Sequence, residues 1–170
     1  MEFPGVMLEL RDFLKSRRPF EGNTSIKNYE GWDNILTRTW LNSRIYNAFP
    51  QKWKSAMKLV RVYFLEGPDY NSYSTSYCMD KIFVPCYQEY ITSDAGGGYA
   101  NEGPKAGLIY GSDKERRKYY NVGGKWYNAF NRTRSPLTGN TGFWRIDPGG
   151  WMGPGSTGNY NTWVGFAFCI

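Results

Sequence analysis

The sequence predicts an α+β domain, and three observations carry that prediction. Two stretches in the N-terminal half place apolar residues at helical spacing. Two apolar runs follow them, over 56–65 and 81–87, that read as strands. After Gly123 the chain breaks into short apolar pieces separated by Gly, Pro, Asn and Ser, the pattern of short strands and loops. With 170 residues, 20 glycines and nine prolines, one domain spanning 1–170 is expected, long enough for a core and too rich in turns for long helices.

In chain order, residues 5–16 read as a short helix, with Val6, Leu10, Phe13 and Leu14 on one face and Pro19 closing the segment. Residues 1–21 are thus a possible N-terminal helix or tether. Charges among their apolar positions fit neither a signal peptide nor a membrane span. Residues 34–49 are the best helix: Leu36, Trp40, Leu41, Ile45, Ala48 and Phe49 repeat at helical spacing and Pro50 ends it. Between the two strand-like runs, "EGPDYNSYSTSY" reads as a polar loop, and "AGGGYANEGPKAG" from Ala95 as a longer one. "VGFAF" (164–168) alternates like a final strand. Leu41, Trp40, Phe49, Phe166 and Phe168 are expected in the core.

Composition excludes several chemistries. The chain has no histidine, which removes Ser-His-Asp and Cys-His nucleophiles and histidine metal ligands. Cys78, Cys86 and Cys169 form no CxxC and are odd in number, a poor disulfide or zinc framework. Acidic residues are scattered without pairing, and no acidic cluster suits calcium. No cofactor or metal is expected. The net charge of +6 favours polyanions in general. The basic runs "KSRRP" and "KERRKYY" are short, however, and read as solvated faces, not a nucleic-acid site.

The last thirty residues differ in kind. Residues 141–170 hold one acid, Asp147, one base, Arg145, and seven aromatic rings among many glycines. Over 140–163 the pattern fits neither a strand nor a helix, so several rings are expected on the surface. Rigid rings, adaptable Asn, Ser and Thr, and permissive Gly make good contact surfaces. Trp144, Trp151, Tyr160 and Trp163 are the candidate anchors. Asn131, Arg132, Arg145, Asp147 and Asn161 are candidate polar contacts, with Tyr127, Thr141, Phe143, Met152 and Asn159 completing the ligand-binding set.

Five stretches together resemble a known family. "LTRTWLNSRIYNAFP" (36–50) resembles its helix "LR-x-WLN-x-x-F-x-x-AF", and "DKIFVPCYQEY" (80–90) its strand "DKVFLLS-x-x-E". "GYANEG" (98–103), "TRSP" (133–136) and "GFAFCI" (165–170) complete the series over 22–170. This is the DUF6273 type of domain, found in phage tail and surface proteins of gut bacteria. The resemblance implies a C-type-lectin-like fold of the formylglycine-generating-enzyme branch: two helices on a twisted antiparallel sheet with a long loop-rich insertion. It also implies kinship with the variable proteins of diversity-generating retroelements, whose C-terminal positions are rewritten to display new side chains. Where the family carries aromatics before "RSP", this chain has Asn131 and Arg132, either a divergent core or two diversified surface positions.

The resemblance therefore implies a non-enzymatic ligand- or receptor-binding module whose C-terminal region, 127–170, displays the contact residues. Its place would be a phage tail or a prokaryotic cell surface, and its ligand a cell-surface protein or glycan. No nucleic acid and no membrane span are expected, and assembly on a larger particle is possible. A structural tail component that oligomerises through the same surface is the alternative. An oxidase like formylglycine-generating enzyme would need a copper-binding cysteine pair, which Cys78, Cys86 and Cys169 do not provide.

Overall fold

The two chain ends are stitched together. β1 (Met7–Glu9) pairs antiparallel with β9 (Ala167–Cys169), Met7 opposite Cys169 and Glu9 opposite Ala167. This overturns the first part of the helix expected over 5–16, because pairing with β9 offers hydrogen bonds that a short helix of marginal propensity cannot match; Phe13 and Leu14 lie outside the described residues. Val6 and Ile170 extend the ladder by exchanging two backbone bonds of 3.1 Å. On its other edge β9 meets Phe83 through a single bridge, so the strand-like run 81–87 contributes one bridged residue and then a 3₁₀ turn at Tyr87–Glu89. The computed structural model describes residues 5–11, 31–69, 72–90, 102–103, 112–136, 142–155 and 165–170.

The expected helix over 34–49 is present as α1 (Leu36–Trp40), a π-type turn (Leu41–Ile45) and α2 (Tyr46–Ala48) in unbroken succession. The wide turn coincides with Asn42. Its side-chain oxygen accepts from Lys81 N and Ile82 N at 3.1 and 3.0 Å, and its amide donates to Ile82 O at 2.7 Å. A further short helix, α3 (Gln51–Ala56), starts after Pro50, whose fixed φ suits a helix entrance.

β2 (Val60–Asp69) and β3 (Ser72–Asp80) form a long antiparallel hairpin. The stretch read as a polar loop is therefore mostly strand. Its Ser, Thr and Tyr pair across the ribbon, Tyr63 against Tyr77 at 5.8 Å, and one face is solvent-exposed, so the strand needs few apolar letters. Val60, Val62 and Phe64 line the inner face.

Among the described residues the C-terminal half holds two more sheets. β4 (Tyr119–Val122) and β5 (Lys125–Asn128) form an independent hairpin. β6 (Asn131–Pro136), β7 (Phe143–Ile146) and β8 (Met152–Gly155) form a three-stranded antiparallel sheet. The molecule is thus a mixed α/β domain with few helices and several small antiparallel sheets. One core joins Trp32, Leu41, Val62, Phe64, Phe83, Phe143, Phe166 and Phe168. Leu41, Phe166 and Phe168 are buried as expected, and Trp40 and Phe49 pack half-buried against that core. No helix among the described residues is long and apolar enough to cross a membrane.

The β7–β8 turn depends on one glycine. Gly150 has φ +91°, and a Cβ there would lie 1.7 Å from the Asp113 carbonyl oxygen. Its own carbonyl accepts from Arg116 Nε at 3.0 Å. Gly150→Ala is expected to cost about 2–4 kcal/mol, since backbone strain and a backbone clash act together. Urea denaturation checks it; a loss below about 1 kcal/mol would contradict this account of the turn.

Candidate functional site

The family-like stretches meet in the interior. Arg134, from β6, is fully buried; it donates to Tyr63 O at 2.9 Å, Val84 O at 2.7 Å and Glu89 Oε2 at 2.8 Å. Glu89 also accepts from Cys86 N at 2.7 Å. Glu102 lies beside this pair, 1% exposed, with neither carboxylate oxygen in a well-formed hydrogen bond. Burial pushes its pKa up to about 7; the Arg134 charge and the nearby Ser135 and Cys86 side chains offset only part of that. Burial would lower the pKa of Arg134, but the Glu89 charge and that of Glu102 outweigh it, so the guanidinium stays charged. Asp80 anchors a second group, accepting from Trp32 Nε1 at 2.8 Å and from Arg38 Nε at 2.9 Å.

A third buried network ties the N-terminal strand to the C-terminal half. Lys118 Nζ lies 2.9 Å from Glu9 Oε1, and Tyr90 Oη donates to the same carboxylate. Asn131 donates to Tyr90 Oη at 3.2 Å and accepts from Gly165 N at 2.9 Å. The basic run "KERRKYY" is therefore only in part a solvated face, and "KSRRP" lies outside the described residues. Arg116 and Lys118 are buried, and Arg117 Nε holds Gly149 O at 2.7 Å. Lys114 and Glu115 are exposed.

The three thiols are free. Burial and then Asp80 raise Cys78 to about 12. Burial raises Cys86 well above its ordinary value and Cys169 to about 11. A thiolate is disfavoured at each. No cluster of metal-ligating side chains occurs among the described residues. A cleft of about 740 Å³ beside β1 is lined by Glu9, Arg11, Lys114, Glu115, Arg117 and Tyr119 among others, where both signs of charge occur together.

The surface expected over 127–163 divides. Asn131, Phe143, Trp144 and Met152 were expected to present side chains, but all four are buried. The reason is that "FWRI" is a strand, not a loop: Phe143 faces the main core, Trp144 packs on Tyr87 at 4.6 Å, and only Arg145 of the four is partly exposed. Asn131 uses both ends of its amide internally and belongs to the buried interior; the Arg132 side chain lies outside the described residues. Asp147 shapes the β7–β8 turn, its Oδ1 accepting from Trp151 N at 2.9 Å. Thr141, Asn159, Tyr160, Asn161 and Trp163 lie outside the described residues.

What remains forms one row. Register sets residue 132 of β6 opposite Arg145 of β7, and Arg145 opposite Gly153 of β8. The Arg145 guanidinium sits 4.2 Å from the centre of the Phe130 ring, a cation–π contact. A Cβ at Gly153 would meet the Trp151 ring at 2.8 Å, so the indole lies over that glycine, on the face shared by Arg145. Trp151 is 62% exposed. Here the glycines have a use: along "WMGPG", positions 151, 153 and 155 share one face, and bare backbone at 153 seats the ring. The β4–β5 hairpin precedes Phe130. Tyr127 stacks on Tyr120 at 5.4 Å, and Trp126 is exposed. Sequence reasoning missed Phe130 and Trp126, though both stand in the "KWYNAF" that opens the region.

The profile of the DUF6273 family, a domain of unknown function, matches residues 4–170, and the chain belongs to that family. No curated protein and no solved structure matches it.

Proposed function

We propose that this DUF6273-family chain is a non-catalytic ligand-binding module built on a C-type-lectin-like scaffold. It would serve on a phage tail or a prokaryotic cell surface and recognise a protein or glycan on a target cell. The observation that carries the reading is the row of position 132, Arg145 and Trp151, flanked by Phe130, on a sheet whose underside is buried. Exposed aromatic rings beside arginine are the side chains enriched at contact sites. Behind them, the Arg134 and Lys118 networks hold the strands in place, so the surface positions are free to change without loss of fold. That division suits a diversified protein, in which a few positions vary over a constant frame. The raised thiols lend no support to copper chemistry, which needs thiolates.

Adsorption of the labelled chain to a panel of gut-bacterial strains tests the reading. At least one strain should bind the parent, and Trp151→Ala should weaken that binding tenfold or more while leaving the melting temperature within about 2 °C, because the ring is exposed. Equal binding by parent and variant would reject this surface. Sequencing the 3′ end of the gene and its flanks across the source population tests diversification. A nearby adenine-rich template differing at codons 132, 145 and 151 supports it; a uniform 3′ end removes it.

A further inference from the structure

We infer that the Arg145 row takes an acidic glycan, with the anionic group of one sugar on the arginine and its ring on Trp151. The inference rests on the binding-module reading and adds the chemical class of the ligand. Charge is the first support. From Arg116 to Ile146 the chain has seven basic residues and no acid. Arg116, Lys118 and Arg134 are buried and engaged within the fold. Arg145, by contrast, is half-buried and makes no ion pair among the described residues. Its cross-strand neighbour is a second arginine position, 132.

Geometry is the second support. The Phe130 ring lies against the Arg145 guanidinium, whose N–H groups can donate to two oxygens of a carboxylate or sulfate. One strand further on, about 5 Å away, Trp151 offers a flat exposed ring. The negative face of an indole attracts the C–H bonds of a pyranose. The row is three strands wide, about 10 Å across, which matches one or two sugar units. A protein partner ordinarily covers about 800 Å². A nucleic acid is less suited. Following a phosphate backbone needs several free cations, and most of the basic run is committed internally.

Titration of the intact chain with polygalacturonate, dextran sulfate and neutral dextran tests the class. Polygalacturonate or dextran sulfate should bind and dextran should not; which of the two binds more tightly identifies a carboxylated or a sulfated sugar. Trp151→Ala and Arg145→Gln should each weaken that binding at least tenfold, and Gly153→Ala, which displaces the ring, at least threefold. Lys125→Ala, on the hairpin tip, should change it less than twofold. If Trp151→Ala binds the charged polymers as the parent does, the attraction is only that of net charge and the inference falls. It falls equally if a single-stranded oligonucleotide binds more tightly than either polymer through Trp151. Cells bound through Trp151 while none of the polymers binds would overturn the acidic-glycan class and leave the binding-module reading standing. Thermal melting of Trp151→Ala and Arg145→Gln separates loss of binding from loss of fold.

Discussion

Arg134→Met is expected to destabilise the domain by about 3–5 kcal/mol, as for other buried ion groups that lose one partner. Arg134 faces two carboxylates, Glu89 and Glu102, each 1% exposed. Removing the guanidinium leaves Glu89 without its cation and strips a donor from two backbone carbonyls, Tyr63 O and Val84 O. Methionine matches the stem in size but supplies none of these bonds. Against an ordinary domain stability of about 5–15 kcal/mol, a loss of this size takes a large share. The variant should therefore express poorly or lose its near-ultraviolet circular dichroism at ambient temperature. Arg134→Lys should fall between the two, since an ammonium keeps the charge but cannot reach three acceptors in different directions. An Arg134→Met protein within about 1 kcal/mol of the parent in urea would show that the cluster contributes little to stability.

The same cluster shows what the sequence made legible. Glu89, Glu102 and Arg134 stand in three separate family-like stretches, and Asp80 and Arg38 in two. As letters they gave a resemblance; in space Arg134–Glu89 and Arg38–Asp80 are ion pairs that join those stretches, and Glu102 is buried beside the first. Periodicity found the 36–48 helical segment because its buried stripe is local. It failed for Met7–Glu9, whose strand partner lies at the other end of the chain. It failed for β3 because polar residues pair well on a ribbon with one wet face. At the contact surface the exposed Trp151 and the Arg145 row were visible as residue types. The burial of Asn131, Phe143 and Trp144 was not. A four-residue strand buried at three of its four positions has no period to detect.

Stability should also fall as pH rises from 5 to 8, and Glu102 should be the reason. Its carboxyl has an ordinary pKa of 4.5 and about 7 in the folded protein. The folded state therefore binds the proton more tightly than the unfolded chain does. Below pH 4.5 both states are protonated and the full stability is present. Between 4.5 and 7 the unfolded chain loses its proton first, and stability declines. Above 7 both are ionised and the decline ends. The whole span corresponds to about 3 kcal/mol. Few other groups interfere in this window. The chain has no histidine. Cys78 and Cys169 titrate near 12 and 11, outside it. Asp33, raised by burial and by Glu66 from 3.8, acts on the acid side. Glu102→Gln removes the titrating charge, leaves the Arg134–Glu89 pair balanced, and should make the protein more stable than the parent at pH 8 with a nearly flat profile. Urea midpoints of parent and variant at pH 5, 6, 7 and 8 decide it. Parallel profiles would mean that the cluster stays ionised in the folded state. The buried carboxylate would then be held by Arg134 more strongly than burial opposes it.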